Sequence, residues 1–365
     1  MAKTNTTNTT CEVTAALPTE YEPRPAEHFH VERIVLCKGS LDTPEREAFV
    51  RRICDVLPHA AVEEQLDTPG SRVHIEGQDV MGRLERGKRT LVFDELTKAV
   101  HSTRGEPSIP EDYWCFSTHA NCFYGCRYCY LAGARSVWFS PAIRVHVNLP
   151  EILAQVASVA NREGKPTSFY LGRLQDALAL DPLIGYSTVL VPFFARHRLA
   201  RQIMLTKAAQ VDNLLGLAHK RHTTLCWSLI PPEIAASLET NVPSVESRID
   251  AMKRCAEAGY RVRARVQPVF PRPEWRKSYV SFVERLVSEV PINRLGIGGV
   301  YTNGRVKYLA KRRTADLYDA FRGRCRGNSD GDLYFLSWCE RHYGDLVEAA
   351  TRIRPDLEVG PCHLM

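Results

Sequence analysis

The fold is decided by residues 121–131, NCFYGCRYCYL, in which three cysteines are spaced C-x3-C-x2-C. The three are Cys122, Cys126 and Cys129. Thiolates at this spacing can wrap a loop around one cubic iron–sulfur cluster and bind three of its four irons. Gly125 lets the backbone pass close to the cluster, and the fourth iron stays open, which a cluster that only carries electrons does not need. Zinc is the alternative, but structural zinc takes four ligands, and Cys115 could supply the fourth only by reaching back along a strand.

Strand and helix patterns alternate on both sides of this loop. Strands are predicted at residues 113–117, 168–172, 202–206, 223–230, 261–269 and 293–300. Helices are predicted between them at about 150–162, 184–197, 211–220, 244–258 and 275–290. Six such units in series imply a parallel sheet with right-handed crossovers. The predicted fold class is therefore α/β, as a partial (β/α)6 TIM-type barrel, with a doubly wound sheet as the alternative that periodicity alone does not exclude.

Four segments are predicted along the chain: a disordered tail at 1–25, a small N-terminal α/β domain at 26–110, the barrel at 111–310 and a helical or irregular extension at 311–365. The tail is rich in Thr, Asn, Pro and Glu. In the N-terminal domain, strands are predicted at 30–37, 60–66 and 90–93. Thr43 and Pro44 predict a helix start between the first two strands, and residues 67–89 read as a polar connection. Cys362 and His363 fall in what is expected to be a frayed terminus.

Composition and charge narrow the class of protein. The chain has 365 residues, of which 44% are hydrophobic and 25% charged, as in an ordinary globular protein. Its net charge of +6 permits an anionic partner without demanding nucleic acid. No stretch approaches the ~18 apolar residues of a membrane span, and the start, MAKTNTTNTT, has no secretion signal, so a cytoplasmic protein without a membrane partner is expected. Twelve cysteines in that compartment favour metal or catalytic use over disulfides.

The cysteine loop and its surroundings resemble the radical S-adenosylmethionine (SAM) superfamily and, within it, the spore photoproduct lyase family. The resemblance rests on CRYCYL, VNLPEILAQ, LTKAAQVDNLL, SRIDAMKRCAEAGY, PEWRKSY, YEPR at 21–24 and KRTLVFD at 88–94. It spans about residues 20–310. It implies a [4Fe-4S] cluster whose open iron chelates SAM, reductive cleavage of a carbon–sulfur bond, and an electron donor such as flavodoxin or ferredoxin. A barrel that excludes water would direct the resulting radical onto its substrate.

The resemblance also implies roles for five side chains. Lys207 and Ser228 match positions that lie at SAM or substrate, and Gln267 matches a position where the fifth strand passes SAM. Tyr128, beside the cofactor, and Tyr130 match two tyrosines that relay a hydrogen atom in the lyase. Ordinary aromatic packing remains the alternative for the tyrosines, and a solvated surface side chain remains the alternative for Lys207.

Two departures from the family pattern bear on the reaction. The lyase has a hydrogen-donating cysteine near the end of its second strand, where this chain reads FYLGRLQD and places Arg173. A His-Arg pair that grips the lesion after the sixth strand of the lyase is matched here by Gly299 and Val300. Reversal of a thymine dimer is therefore not expected, although the cofactor machinery is retained.

The predicted strand 261–269 alternates apolar residues with charged or polar ones. The polar set is Arg261, Arg263, Arg265 and Gln267. By the period of two, these residues share one face, which in a barrel points into the lumen, where arginines are unfavourable unless they meet anions. Arg265, nearest the cofactor end, and Arg173 from the second strand are therefore candidates to bind an anionic substrate. The alternative places Arg261 and Arg263 at a solvated strand entry, paired with acids. Cys226 shares the face of Ser228, where a cysteine is most often a small apolar residue.

Three functional interpretations follow. The first is a radical SAM enzyme that acts on a small anionic or soft substrate in a biosynthetic reaction, for example transfer of the 3-amino-3-carboxypropyl group to a thiol-like or arsenic(III) acceptor. The alternative is a spore photoproduct lyase-like DNA repair enzyme, which the basic stretch after residue 301 would serve. A binding module with an iron–sulfur cluster and no catalysis is the third.

Overall fold

The chain alternates strands and helices, as the sequence predicts. The computed structural model describes residues 16–103, 113–270, 272–300, 304–313, 317, 326–327, 333–334 and 336–361. The strands are β1 (Arg33–Cys37), β2 (Ala61–Gln65), β3 (Thr90–Asp94), β4 (Val100–Ser102), β5 (Trp114–Phe116), β6 (His119–Ala120), β7 (Ile143–His146), β8 (Thr167–Leu171), β9 (Ala200–Thr206), β10 (Thr223–Leu229), β11 (Arg261–Val269), β12 (Arg294–Gly299), β13 (Arg326–Gly327), β14 (Leu333–Tyr334) and β15 (Glu358–Pro361). The helices are α1 (Pro44–Asp55), α2 (Val80–Gly87), α3 (Arg135–Phe139), α4 (Leu149–Glu163), α5 (Asp181–Ile184), α6 (Ser187–Arg196), α7 (Pro232–Leu238), α8 (Val245–Glu257), α9 (Arg276–Glu289), α10 (Gly304–Arg313) and α11 (Leu336–Ile353).

The first sheet has the strand order β2–β1–β3–β7–β6. Its pairs are parallel except that β6 runs antiparallel to β7. RIVLC in β1 and TLVFD in β3 are nearly continuous apolar runs, as expected for strands covered on both faces. Because β6 and β7 follow residue 111 in the chain, this sheet joins the predicted N-terminal domain to the predicted barrel segment.

The second sheet has the order β15–β12–β11–β10–β9–β8–β5–β4. Its six central strands, β5 and β8 to β12, are parallel and adjacent in chain order. The prediction of an α/β fold with a partial (β/α)6 TIM-type architecture is confirmed, and the sheet is open rather than closed into a barrel. All six strands lie within two residues of their predicted bounds.

Side-chain alternation along β11 separates the two faces of this sheet. Val262, Ala264 and Val266 are buried. Arg263, Arg265 and Gln267 are half-buried on the opposite, concave face. Helix α8 packs against the covered face and begins after Ser244, whose hydroxyl accepts from the Ser247 backbone N–H. On β11 the concave face is therefore the polar one, and two cavities lie on this side of the sheet.

Two local predictions are wrong, and the start of a third element is shifted. Residues 211–220 form only a short 3-10 turn, Asp212–Leu214, because the Tyr260 hydroxyl donates to the Leu214 carbonyl at 2.8 Å and Gly216 follows. The helix predicted at 184–197 begins three residues later, as α6, since Gly185 adopts a left-handed conformation with φ of 62° against the ring of Tyr21 and ends α5 at Ile184. The connection at 67–89 contains α2, which Asp79 caps by accepting from the Gly82 N–H.

Both ends of the chain contain residues that pack against the rest of the protein. Residues 16–25, predicted as part of the disordered tail, are instead anchored, because Leu17 is buried and Tyr21 donates to the Leu183 carbonyl at 2.9 Å. Residues 1–15, Cys362 and His363 lie outside the described residues. The basic stretch after residue 301 contributes α10, in which Arg312 and Arg313 pair with acids of the α2 region. Within the described parts of the chain, no helix has both the length and the apolar character that crossing a membrane requires.

Candidate active site

A cavity opens at the carboxyl ends of the parallel strands, on the concave face of the second sheet. Gly172 follows β8, Lys207 follows β9, and Ser228 and Gln267 stand near the ends of β10 and β11, all on the cavity wall. The cysteine loop after β6 forms the facing wall. Barrels of this type keep their chemistry at this end, because the loops that follow the strands converge there.

The cysteine loop is held by backbone hydrogen bonds to the last residue of α7 and to the segment that follows it. The Gly125 N–H donates to the Thr240 carbonyl at 2.7 Å, and the Arg127 N–H donates to the Leu238 carbonyl at 2.8 Å. A Cβ at position 125 would lie 2.8 Å from the Thr240 oxygen, so only glycine fits without displacement. Gly125 was predicted to let the backbone pass close to a cluster. In the structure it lets the loop pack closely against the backbone at Thr240.

The three thiols of the loop line the cavity together. Burial, together with the Asp176 carboxylate and the other two thiols, raises the pKa of Cys122, and burial raises the pKa of Cys126 to about 12. Among the described residues, no three His, Cys, Asp or Glu side chains converge closely enough to hold a single metal ion. A cubic cluster would bind each of the three thiolates at a different iron.

A buried ionic network supports the wall behind Tyr128. The Tyr128 hydroxyl donates to Glu239, which also pairs with Arg248, and both side chains of that pair are 1% exposed. Lys207 lies 3.7 Å from the Glu239 carboxylate and donates to the Ser228 hydroxyl at 2.6 Å. Burial opposes ionisation of Glu239, but Lys207 and Arg248 outweigh it and lower its pKa. The network fixes the Tyr128 ring and places the Lys207 ammonium at the cavity.

The network contains two residues that sequence reasoning missed, Glu239 and Arg248. A signal for Arg248 was present, because it falls on the buried stripe of α8 beside Val245, Ile249 and Met252. An arginine at such a position must find partners inside the protein. Besides Glu239 it donates to the Ser228 carbonyl at 3.1 Å, which ties α8 to the end of β10.

Asp176 organises the loop after β8. Its carboxylate accepts from the Ala179 N–H at 2.9 Å, from the Thr206 hydroxyl at 2.6 Å and from the Lys207 N–H at 2.7 Å. Burial raises its pKa, and these donors partly offset that effect. The carboxylate therefore links the end of β8 to the end of β9.

Gln175 presents an unsatisfied carboxamide to the cavity. The residue is 2% exposed, and in the described structure neither its Oε1 nor its Nε2 atom has a hydrogen-bond partner. Buried polar atoms are rarely left without partners in native proteins. A bound molecule with both donors and acceptors would satisfy this side chain.

The structure brings most of the predicted site residues together. The three cysteines share the cavity with Tyr128, Tyr130, Lys207, Ser228, Arg265 and Gln267. Gly299 and Val300 also line it. Arg265 lies with its Nη1 atom 3.4 Å from the Tyr170 hydroxyl.

Arg173 is the exception among the predicted site residues. It is not among the residues that line the cavity, and its backbone carbonyl accepts from the Tyr130 hydroxyl at 2.7 Å. Arg173 follows Gly172, which has a φ of 125°, and its main chain contacts Tyr130 on the cavity wall. Arg261 and Arg263 line a different cavity at the other ends of the strands.

Comparisons with known proteins agree with this architecture. The family model "Spore photoproduct lyase" matches residues 43–300. A spore photoproduct lyase of Clostridium acetobutylicum is 25% identical over 256 residues, which is 69% of this chain and 73% of that protein. The lyase of Bacillus subtilis strain 168 is 25% identical over 239 residues, 65% of this chain and 68% of its own length.

Solved structures of lyases share the fold. A spore photoproduct lyase complexed with dinucleoside spore photoproduct superposes with a TM-score of 0.80 at 20% identity, covering 92% of this chain and 100% of that chain. A doubly substituted mutant of the lyase with bound AdoMet and dinucleoside spore photoproduct gives a TM-score of 0.79 at 20% identity, covering 91% of this chain and 98% of that chain.

Proposed function

Because this chain belongs to the spore photoproduct lyase family, we propose that it is a radical SAM enzyme that performs lyase-type chemistry on a pyrimidine photoproduct or a related nucleic-acid lesion. One observation carries the proposal: the cysteine loop faces the polar side chains at the strand ends across one cavity. The biosynthetic transfer predicted first from the sequence has no support among the relatives, which favour the lyase-like alternative.

The residues present fit the cofactors that such an enzyme needs. Cys122, Cys126 and Cys129 would bind three irons of a [4Fe-4S] cluster and leave the fourth iron for SAM. When bound and reduced, the cluster supplies the electron that cleaves SAM. The unpartnered donor and acceptor of Gln175 suit a ligand such as SAM, which carries both kinds of group. A small acidic electron carrier such as flavodoxin or ferredoxin is the proposed reductant.

The protein's own contribution is positioning and exclusion of water. Glu239 accepts the hydroxyl hydrogen of Tyr128, and the Arg173 carbonyl accepts that of Tyr130, so both phenols are held in fixed directions. Burial and nearby negative groups raise the pKa of both tyrosines, which keeps them protonated and able to give a hydrogen atom. Lys207, Ser228 and Gln267 would hold the cofactor or substrate beside them.

A second candidate is the transfer reaction on a small anionic substrate. It is favoured by one observation: apart from the triplet, no cysteine is among the residues described as lining the cavity, where the family has a hydrogen-donating thiol. Arg265 supplies a cation in the same space. A product radical would then have no thiol from which to recover a hydrogen atom.

We expect the two candidates to be separated by the products of SAM. The protein would be reconstituted anaerobically, reduced with dithionite, and analysed by mass spectrometry with and without dinucleoside spore photoproduct. Release of two free thymidines from the photoproduct supports the lyase, in which SAM can be regenerated because the reversal is an isomerisation. Formation of 5′-methylthioadenosine supports transfer. The absence of both free thymidine and any cleavage product of SAM, with or without the photoproduct, would overturn both candidates. The Cys126→Ala variant is the matched control for cluster-dependent cleavage.

Arg265→Lys is expected to weaken binding of one anionic ligand while the fold and cluster persist. A guanidinium can form a two-pronged, charge-assisted pair that an ammonium cannot reproduce. Loss of one such hydrogen bond corresponds to about 1.5–3 kcal/mol, or about 10- to 150-fold in Kd. Titrations of SAM and of dinucleoside photoproduct into the reconstituted protein identify the ligand. Arg263→Lys, two residues earlier on the same strand, should bind both normally. Unchanged binding by the Arg265 variant would contradict a role for this guanidinium.

A further inference from the structure

A second cavity, of about 300 Å³, lies at the amino ends of β8 to β11, at the other end of the concave face. Six basic side chains line it: Arg201, Lys220, Arg221, His222, Arg261 and Arg263. The lining contains no aspartate or glutamate. Five of these side chains carry a permanent positive charge, and across the described parts of the chain none of the five lies within 4.0 Å of a carboxylate. The expectation that Arg261 and Arg263 pair with nearby acids is therefore wrong.

This arrangement leaves positive charges facing one another. Burial and the neighbouring Arg261 lower the pKa of Arg201, and burial lowers the pKa of Arg263, with Glu358 only partly compensating. That carboxylate is engaged by Arg294 at 3.3 Å. Arg201 and Arg263 are half-buried, whereas Lys220, Arg221 and Arg261 are exposed. Repulsion between like charges is strongest for the half-buried pair, because water screens it least there, and it opposes folding of the ligand-free protein. An anion in the cavity would remove that repulsion.

Two buried polar groups at the cavity also lack partners. The Nε atom of Arg263 and the Oε1 atom of Gln202 are buried without a hydrogen-bond partner in the described structure, and Gln202 is 0% exposed. The other end of the Gln202 carboxamide contacts the Thr223 hydroxyl at 2.8 Å. Because a hydroxyl can donate or accept, this carboxamide can present either its oxygen or its NH2 group to a ligand.

The basic loop between β9 and β10 is built at a conformational cost. Lys220 and Arg221 are consecutive residues with φ of 46° and 58°, in the left-handed region that side-chain-bearing residues rarely adopt. Strain of this kind persists where the surroundings over-determine it, and it clusters at ligand sites. Here it brings two more cations to the cavity lined by Arg261 and Arg263.

We propose that this cavity is a second ligand site, separate from the candidate active site, and that it binds a small molecule carrying two or more phosphoryl groups. One phosphoryl group brings a charge of about −1.5 to −2, so a single group would leave most of the five cations unpaired. Guanidinium forks match phosphoryl oxygens in two-pronged pairs. Nucleic acid is the less favoured occupant, because the cations converge on one cavity at the strand ends rather than following an extended groove.

The two cavities are separated along the strands. Tyr170 and Cys226 occupy the positions between them on β8 and β10, and on β11 Arg265 of the first cavity stands two residues beyond Arg263. Two residues of strand span about 7 Å. The two cavities have no lining residue in common, so binding in the basic cavity can be tested without loading the cofactors.

The test uses thermal unfolding of the full chain with pyrophosphate as the probe, and inorganic phosphate and sulfate for comparison. At millimolar pyrophosphate we expect the midpoint of wild type to rise with concentration, as linkage requires. Arg261→Gln and Arg263→Gln should each weaken pyrophosphate binding by about tenfold or more. The same variants should unfold at a higher temperature than wild type without ligand, because they remove repulsion, whereas a purely structural arginine would show the opposite. Arg72→Gln, at an exposed position in the 3-10 turn Gly70–Arg72, is the control with the same change of charge.

Several outcomes would overturn the proposal. Pyrophosphate that fails to stabilise wild type would do so, as would equal stabilisation of wild type and Arg263→Gln. If Arg72→Gln lost as much pyrophosphate binding as Arg261→Gln and Arg263→Gln, the loss would be an effect of net charge and not of this cavity. Stabilisation by a short oligonucleotide but not by pyrophosphate would assign the cavity to nucleic acid instead.

Discussion

Replacing any one of Cys122, Cys126 or Cys129 by alanine should abolish the broad absorbance at about 400 nm of the reconstituted cluster and, with it, all cleavage of SAM. The loop offers one thiol for each of three irons, and the described structure shows no further cysteine on the cavity wall to take over a lost ligand. The measurement is the ultraviolet–visible spectrum after anaerobic reconstitution, followed by iron analysis.

The controls for this experiment lie in the same part of the molecule. Cys115 on β5 and Cys226 on β10 are buried, as Cys126 is, but neither lines the cavity. Cys115→Ala and Cys226→Ala should therefore keep the absorbance and lose only the packing contribution of a small buried side chain. If all five variants lost the chromophore alike, the assignment of the triplet as the cluster ligands would be wrong.

Glu239→Gln is expected to destabilise the fold by about 3–5 kcal/mol at neutral pH. The substitution removes one partner of a buried ion pair and leaves the Arg248 guanidinium, only 1% exposed, without its counter-charge. Urea unfolding of the two proteins measures the difference. The exposed pair of Glu246 and Arg285 supplies the matched control, because Glu246 is 53% exposed and Glu246→Gln should cost no more than about 1 kcal/mol. Equal effects of the two substitutions would contradict the importance of this buried network.

The same variant has a predictable dependence on pH. Lys207 and Arg248 lower the pKa of Glu239 below its usual value of 4.5, against the opposing effect of burial. The stabilisation by its charge is therefore fully present above pH 4.5 and is lost as the pH falls through the lower pKa of the folded state. The difference in unfolding free energy between wild type and Glu239→Gln should shrink below pH 4.5. A difference that grew with acidity would mean that Glu239 is buried as the neutral acid.

The central sheet could be predicted from the sequence because each of its strands is marked by a run of consecutive residues. The six parallel strands carry continuous or alternating apolar runs, and β11 was predicted at its observed bounds. The turn at 211–220 could not be predicted in this way. Its hydrophobic spacing is helical, and the hydrogen bond that breaks it comes from Tyr260, far along the chain. Likewise, the anchoring of Tyr21 depends on its contact with Leu183.

For the site, the spacing of the cysteines and the alternation along β11 identified the three thiols, Arg265 and Gln267 as part of the cavity wall. The family resemblance added Tyr128, Tyr130, Lys207 and Ser228. Glu239 was missed because it follows α7 in a stretch without a motif, and only the fold places it beside Tyr128. Arg173 was predicted to reach the site by its position after β8, whereas the backbone at Gly172 makes its carbonyl the contacting group. A sequence pattern fixes the direction of a side chain within a strand, but not in the turn that follows it.

The two edge strands of the open sheet have features that oppose the addition of a strand from another molecule. An open sheet exposes unpaired N–H and C=O groups that can template the addition of a strand from another molecule. Here the margins are β4, which is only three residues long, and β15, which ends in Pro361 and begins with Glu358. Proline has no backbone N–H to donate, and a short or charged edge strand forms few hydrogen bonds with another chain. Loss of β15 would expose Leu295 and Ile297 of β12 as a longer apolar edge, and we expect such a protein to aggregate rather than merely unfold sooner.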